Sequence, residues 1–246
     1  MMSIRHLLLD IEGTTCPVSF VSKTLFPYAK HSLGRFIATH QNDKEVRVIL
    51  EAAVQEWLQD PAEISQNLRG KYPGDAIKGP EAITEYLSHL ISIDKKSTAL
   101  KDIQGKIWHK GYQCGELKGA LFPETATSFQ DWTQQNILIS SYSSGSIQAQ
   151  QLLYQYSIDG DLSTNIHQWF DTHTGPKKSS SSYAAISQRL NSPSENILFV
   201  SDNPDECNAA RGAGLATLFS LREGNPDQDP QGHRVIRSLV EVNQYL

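Results

Sequence analysis

The chain has 246 residues, 39% of them hydrophobic and 20% charged, a balance that suits a globular protein with a sizeable core. A formal charge of -5 and a sequence pI of about 5.9, without a basic stripe, argue against a nucleic-acid binder. No apolar stretch is long enough to cross a bilayer. The three scattered cysteines (Cys16, Cys114, Cys207) give neither a disulfide framework nor a zinc spacing, so a cytoplasmic location is expected.

In chain order, Ile4 to Asp10 read as a buried parallel strand, a short apolar run closed by a carboxylate. Its leucines are too few for the core of a signal peptide. From about Phe20 to Phe122 the pattern becomes amphipathic and helical. Leu50, Val54, Trp57 and Leu58 recur at helical spacing, then Ile83, Leu87, Leu90 and Ile91, then Leu100, Ile103, Ile107 and Trp108. This stretch reads as a helical insert, with Lys71 to Pro80 as a Gly- and Pro-punctuated loop.

Alternation of strand and helix follows. Asn136 to Ser141 reads as a strand, Ser146 to Tyr156 as a helix, Trp169 to Asp171 as a short strand and Ser181 to Leu190 as a helix. Asn196 to Asp202 is the clearest strand, followed by a helix over Pro204 to Arg211 and a strand over Leu215 to Ser220. A polar loop, Glu223 to His233, precedes an expected last helix. The order implies an α/β fold, a doubly wound parallel sheet with right-handed crossovers.

Three predicted strands end in polar clusters: Asp10-Ile11-Glu12-Gly13-Thr14-Thr15, Tyr142-Ser143-Ser144-Gly145 and Ser201-Asp202-Asn203. Gly175-Pro176-Lys177 lies between the short strand and the next helix, on the same rim. Ligands of open parallel sheets bind beyond the carboxyl ends of the strands, so these clusters converge in one crevice. Each has a plain structural reading too. Asp10 before a glycine suits a turn, Ser143-Ser144-Gly145 suits a helix N-cap, and Asp202-Asn203-Pro204 suits a capped helix start. Lys177 beside Lys178 suits a solvated pair. Cys16 reads as a small buried thiol, and Trp108 and Tyr112 as core aromatics that could otherwise touch a ligand.

Taken in order, the clusters resemble the haloacid dehalogenase superfamily: an Asp-x-acid motif, a Ser, a Lys, then an acidic motif. More narrowly, LLLDIEGTTCPVSFV, SYSSGS, FDTHTGPKKSSSSY, ILFVSDNPDECNAA and STALKDIQGKIWHKGY resemble the enolase-phosphatase family of methionine salvage. Most members of the superfamily carry Asp where this chain has Glu12. The resemblance implies a haloacid dehalogenase-like core over residues 1–16 and 123–246, with residues 17–122 as a helical cap inserted after the first strand.

It also implies the roles. Asp10 is the nucleophile that becomes an aspartyl-phosphate, and Glu12 is the acid–base group. Asp10, Glu12 and Asp202 hold one Mg²⁺ per subunit, Glu12 through its side chain or its main-chain carbonyl. Ser143, Ser144 and Lys177 bind the phosphate, and Glu206 faces the metal through water or faces the lysine. The implied substrate is 2,3-diketo-5-methylthiopentyl-1-phosphate, enolised and dephosphorylated to an acireductone by a monomer without nucleic-acid or membrane partners. A generic phosphomonoesterase, a metal-free dehalogenase attacking through the same Asp10, and a non-catalytic phosphate-binding protein are the competing readings.

Overall fold

The structure is a computed structural model that describes residues 4–93 and 95–246. The chain divides into two compact units, Ser22–Glu116 and the discontinuous pair Met1–Val21 with Leu117–Leu246. In the discontinuous unit, six parallel strands form one sheet in the order β3-β2-β1-β4-β5-β6: β1 (His6–Leu9), β2 (Leu138–Tyr142), β3 (Ile166–Phe170), β4 (Ile197–Ser201), β5 (Ala216–Ser220) and β6 (Arg234–Ile236). β1 and β4 are buried throughout, as unalternating apolar runs covered on both faces must be. The chain builds outward from β1 to β3, then returns to lay β4 on the other side of β1. The reversal point therefore lies between β1 and β4, and Asp10 and Asp202 follow these two strands.

A single turn, α1 (Val18–Phe20), ends the first piece of this unit, and a π-helical turn, Val21–Leu25, follows it in the chain. The second unit is wholly helical: α2 (Phe26–His40), α3 (Lys44–Gln59), α4 (Glu63–Lys71), α5 (Pro80–Ser92) and α6 (Thr98–Gln113). Its core takes Leu50, Val54, Trp57, Ile83, Leu87, Leu90, Leu100, Ile103 and Ile107. Leu58, expected beside them, is 50% exposed: one residue on from buried Trp57, it is turned away from the core. The Lys71 to Pro80 stretch contains a 3-10 turn, Gly74–Lys78. Trp108 packs against this core and donates to the Leu25 carbonyl at 2.9 Å, and Tyr112 is buried. Among the described residues no helix is long and apolar enough to cross a membrane.

In the sheet unit the crossovers are α7 (Thr125–Gln134), α8 (Ile147–Gln155), α9 (Ser180–Arg189) and α10 (Pro204–Gly212). Tyr142, Tyr183, Ile186, Phe199, Cys207 and Leu215 fill one core cluster of the sheet unit. The expected last helix is a correction. Arg234–Ile236 adds edge strand β6 beside β5, and a 3-10 helix, Leu239–Tyr245, follows, burying Leu239 and Val242 three residues apart. Ser238 and Glu241 close its start as a capping box.

Candidate active site

The loop after β1 wraps round one carbonyl. Ile11 O accepts from the amides of Thr14 (3.1 Å), Thr15 (2.9 Å) and Cys16 (2.9 Å), and the Gly13 amide donates to Cys16 O at 2.7 Å. So tight a turn needs the left-handed φ of +68° at Gly13, where a side chain would be strained. A Cβ there would also lie 2.1 Å from Asp202 Oδ2, so the glycine lets Asp202 close on the loop. Leu9 pairs with Val200, and the Asp10 amide donates to Val200 O at 2.9 Å, which sets Asp10 level with the end of β4. Cys16 is fully buried beside this loop, and burial pushes its thiol up, away from reactivity.

Asp10 is 6% exposed and is held on both oxygens. Lys177 Nζ donates to Oδ1 at 2.6 Å, as does the Ile11 amide at 2.8 Å. Ser201 Oγ stands 3.0 Å from Asp10 Oδ2 and 2.9 Å from Glu206 Oε2, with one proton to give to either. Lys177 Nζ also meets Glu206 Oε2 at 2.7 Å. The lysine is therefore a bridge between two carboxylates, while its neighbour Lys178 pairs at the surface with Asp205. Burial would discharge Lys177, but Asp10 and Glu206 outweigh it and hold the ammonium charged. The lysine's backbone is held as well: Tyr183 Oη donates to Lys177 O at 2.7 Å and Tyr142 Oη to Gly175 O at 2.8 Å.

Glu12 and Asp202 complete the cluster. The Glu12 carboxyl is pushed up to about 7 by burial and then by the charge of Asp10, against the pull of Lys177. The Asp202 carboxyl is pushed up to about 7 by burial, by Asp10 and, more weakly, by Glu206 and Glu12, with Lys177 again opposing. Glu206 is raised by burial and Asp10. Four carboxyl groups thus face one ammonium. Such an excess of anionic oxygen in a shielded place fits a hard divalent cation. Among the described residues no three His, Cys, Asp or Glu side chains are grouped to hold a metal alone. A cation there would need main-chain oxygens beside the carboxylates.

The plain readings of two clusters lose their basis here. The cap of α10 is Asn203, whose Oδ1 accepts from the Asp205 and Glu206 amides, and this frees Asp202. The cap of α8 is Ser146, whose hydroxyl accepts from the Ala149 amide, and Ser143 and Ser144 precede it. Ser143 is buried at the end of β2; its amide donates to Phe170 O at 3.2 Å and its hydroxyl accepts from the Gly145 amide at 3.2 Å. Sequence reasoning set Tyr142 and Ser201 in the strand-end clusters without giving either a role, and it missed Tyr183. The tyrosines are ordinary core residues by pattern.

A profile of the haloacid dehalogenase-like hydrolases matches residues 4–214. The chain is 55% identical over 245 residues to an enolase-phosphatase E1 of Synechococcus sp. (strain CC9605), covering 100% of this chain and 98% of that one. It is 51% identical, over the full length of both, to an enolase-phosphatase E1 of Parasynechococcus marenigrum (strain WH8102). Among solved structures, the UTR4 protein of Saccharomyces cerevisiae superposes with a TM-score of 0.69 at 32% identity, covering 95% of this chain and 97% of that one.

Proposed function

The chain belongs to the haloacid dehalogenase-like hydrolases and is a phosphatase among them, and from that premise we propose that it is a magnesium-dependent enolase-phosphatase of methionine salvage. Its substrate in this reading is 2,3-diketo-5-methylthiopentyl-1-phosphate and its product an acireductone. The observation that carries the proposal is the buried Asp10, with Lys177 Nζ 2.6 Å from its Oδ1, at the head of a site richer in carboxyl groups than in cations.

Asp10 is the nucleophile. A carboxylate oxygen of Asp10 attacks phosphorus, the bond from phosphorus to the substrate oxygen breaks, and an aspartyl-phosphate forms. Lys177 supplies positive charge beside the developing phosphoryl oxygens, at a point fixed by two carboxylates and two tyrosine hydrogen bonds. Ser143 and Ser144, with the main-chain amides before α8, bind the phosphoryl oxygens. Glu12, two residues beyond the nucleophile, gives the leaving oxygen a proton and then takes one from the water that hydrolyses the aspartyl-phosphate, restoring Asp10. Asp10 and Asp202, with the Glu12 carbonyl, would hold the one Mg²⁺, which would offset the repulsion between nucleophile and phosphate and supply Lewis acidity for the enolisation. The helical insert serves as the cap, and the enzyme is a cytoplasmic monomer acting on a small phosphorylated molecule. Three cysteines without a disulfide agree with that compartment.

The test is incubation with the diketo phosphate, following enol absorbance and inorganic phosphate together, with Mg²⁺ and with chelator. Both signals, dependent on the metal, are expected. Phosphate without an enol signal reduces the protein to a generic phosphomonoesterase; neither signal overturns the proposal.

A further inference from the structure

The carboxyl cluster occupies one side of the loop after β1, and the carbonyls of that loop are held by a segment with no part in the chemistry above. Gly13 O accepts from Ser220 Oγ at 2.9 Å and from Asn225 Nδ2 at 3.0 Å, and the same Nδ2 reaches Ser220 O at 3.2 Å. Thr14 O accepts from an Arg222 terminal nitrogen at 3.2 Å. Arg222 is itself fixed: its other terminal nitrogen meets Glu124 Oε1 at 2.6 Å and Arg237 O at 2.7 Å, and its guanidinium lies 4.4 Å from the Phe122 ring centre. The two carbonyls that directly follow Glu12 are thus tied to the stretch after β5, more than 200 residues away in the chain.

Gly13 makes that tie necessary. It is the residue of the loop with the widest backbone freedom, and it links Glu12 to the rest of the turn. A Cβ placed on it would fall 2.1 Å from Asp202 Oδ2 and 2.8 Å from Asn225 Nδ2, so Asn225 and Asp202 close on the same atom. Glycine at this position buys the close approach of Asp202 and gives up the restraint of a side chain. The Asn225 amide returns the restraint by holding the carbonyl.

We propose that Asn225 is a positioning residue for the reaction: with Ser220 it fixes the Gly13 carbonyl, and so fixes where Glu12 stands relative to Asp10 and Asp202. The kinetic part of this inference rests on the phosphatase reading above; the holding part stands on the hydrogen bonds alone. A purely structural asparagine would lower stability and leave turnover by the folded enzyme unchanged. A positioning one lowers kcat and spares KM, because substrate binding does not pass through Gly13.

The experiment compares the full-length protein with Asn225→Ala and Ser220→Ala. It reads kcat and KM for phosphate release from the diketo phosphate, and amide hydrogen exchange of a peptide covering residues 10–17. For Asn225→Ala, kcat is expected to fall at least tenfold with KM within threefold, and exchange in that peptide to quicken at least tenfold while that of β4 is unchanged. Ser220→Ala, which leaves the Asn225 donor in place, is expected to lose about threefold in kcat with a smaller rise in exchange. If Asn225→Ala does not fold, this milder variant decides, and an unchanged kcat and exchange overturn the proposal. Unmoved exchange in Asn225→Ala overturns it as well, whatever the rate does. Wild-type protein that releases no phosphate, with the exchange response as expected, sinks the phosphatase reading and leaves the restraint on Gly13 established.

Discussion

Replacing Lys177 by methionine keeps the length of the side chain and removes its charge. The ammonium lies 2.6 Å from Asp10 and 2.7 Å from Glu206, and all three side chains are 8 to 11% exposed. Removing one partner from a buried pair costs about 3–5 kcal/mol. Here the cost has a ceiling, because Glu206 can take up a proton. From its ordinary value of 4.5, that uptake costs about 1.4 kcal/mol at pH 5.5 and about 4 kcal/mol at pH 7.5, at about 1.36 kcal/mol for each pH unit. Burial and Asp10 already raise Glu206, with Lys177 opposing, so losing the lysine raises it further. A carboxyl whose folded pKa lies above its unfolded one costs stability above the unfolded value, and the cost grows until pH passes the folded value. The deficit therefore widens from pH 5.5 to 7.5. The raised pKa of the lysine keeps its own contribution whole below its ordinary value and brings it no change in this window. The wild type, whose Glu206 is already raised, bears part of that cost, so at about 2–4 °C per kcal/mol melting in chelator is expected to drop by less than about 6 °C at the lower pH and by more, up to about 16 °C, at the higher. Phosphate release with Mg²⁺ is expected to slow about 10²–10³-fold, the usual effect of losing one transition-state charge partner. Equal melting deficits at the two pH values, or a rate loss under tenfold, would refute the reasoning.

Two further substitutions probe the same loop. Asp10→Asn keeps the shape and removes the nucleophile, so phosphate release is expected to fall at least 10³-fold while circular dichroism stays native; retention of more than a few per cent of the rate would remove Asp10 from that role. Gly13→Ala meets both the left-handed φ of +68° and the 2.1 Å approach of Asp202 Oδ2. The backbone strain costs about 1–2 kcal/mol. The carboxylate is the end of a flexible side chain and gives way, so a folded protein with at least a hundredfold lower activity is expected. Wild-type turnover by this variant would show that Asp202 has no fixed place in the reaction.

The sheet was legible in the sequence because β1 and β4 carry unalternating apolar runs and β1, β2 and β4 lead into polar clusters, and the parallel order follows from the helices between the strands. Position at strand ends brought Asp10, Asp202 and Lys177 together on paper as they stand in space. What escaped was of two kinds. β6 has three residues, too few for any period to register, and the turn after it buries Leu239 and Val242 at a spacing that suits a longer helix equally well. Tyr142, Tyr183, Ser220, Arg222 and Asn225 act through hydroxyls, amides and carbonyls that meet only after folding. Nothing in the local pattern separates such residues from ordinary core or loop positions.

The electrostatics of the cluster explain why those unremarkable residues are needed. Holding the Glu12 carboxyl at about 7 in place of 4.5 corresponds to roughly 3 kcal/mol of unfavourable interaction above that pH, and Asp202, at about 7 in place of 3.8, to about 4 kcal/mol. The two interact, so the values do not add, but either exceeds the worth of an ordinary hydrogen bond, about 1 kcal/mol. Burial and the charge of Asp10 both favour any motion that carries Glu12 out toward water. The readiest hinge for that motion is Gly13, since glycine alone crosses φ space without a steric penalty. Ile11 O already gathers three amides from the interior of the loop, but those bonds lie within the turn and travel with it. Anchors outside the turn resist its swing: Ser220 and Asn225 on Gly13 O, Arg222 on Thr14 O, and, further along, the Phe122 amide and Thr125 Oγ1 on Thr15 O. A site that concentrates carboxyl groups around its nucleophile thus calls for neutral or cationic donors behind the loop, and Glu124, the acid that stands by Arg222 there, is neutralised by its ion pair with that arginine.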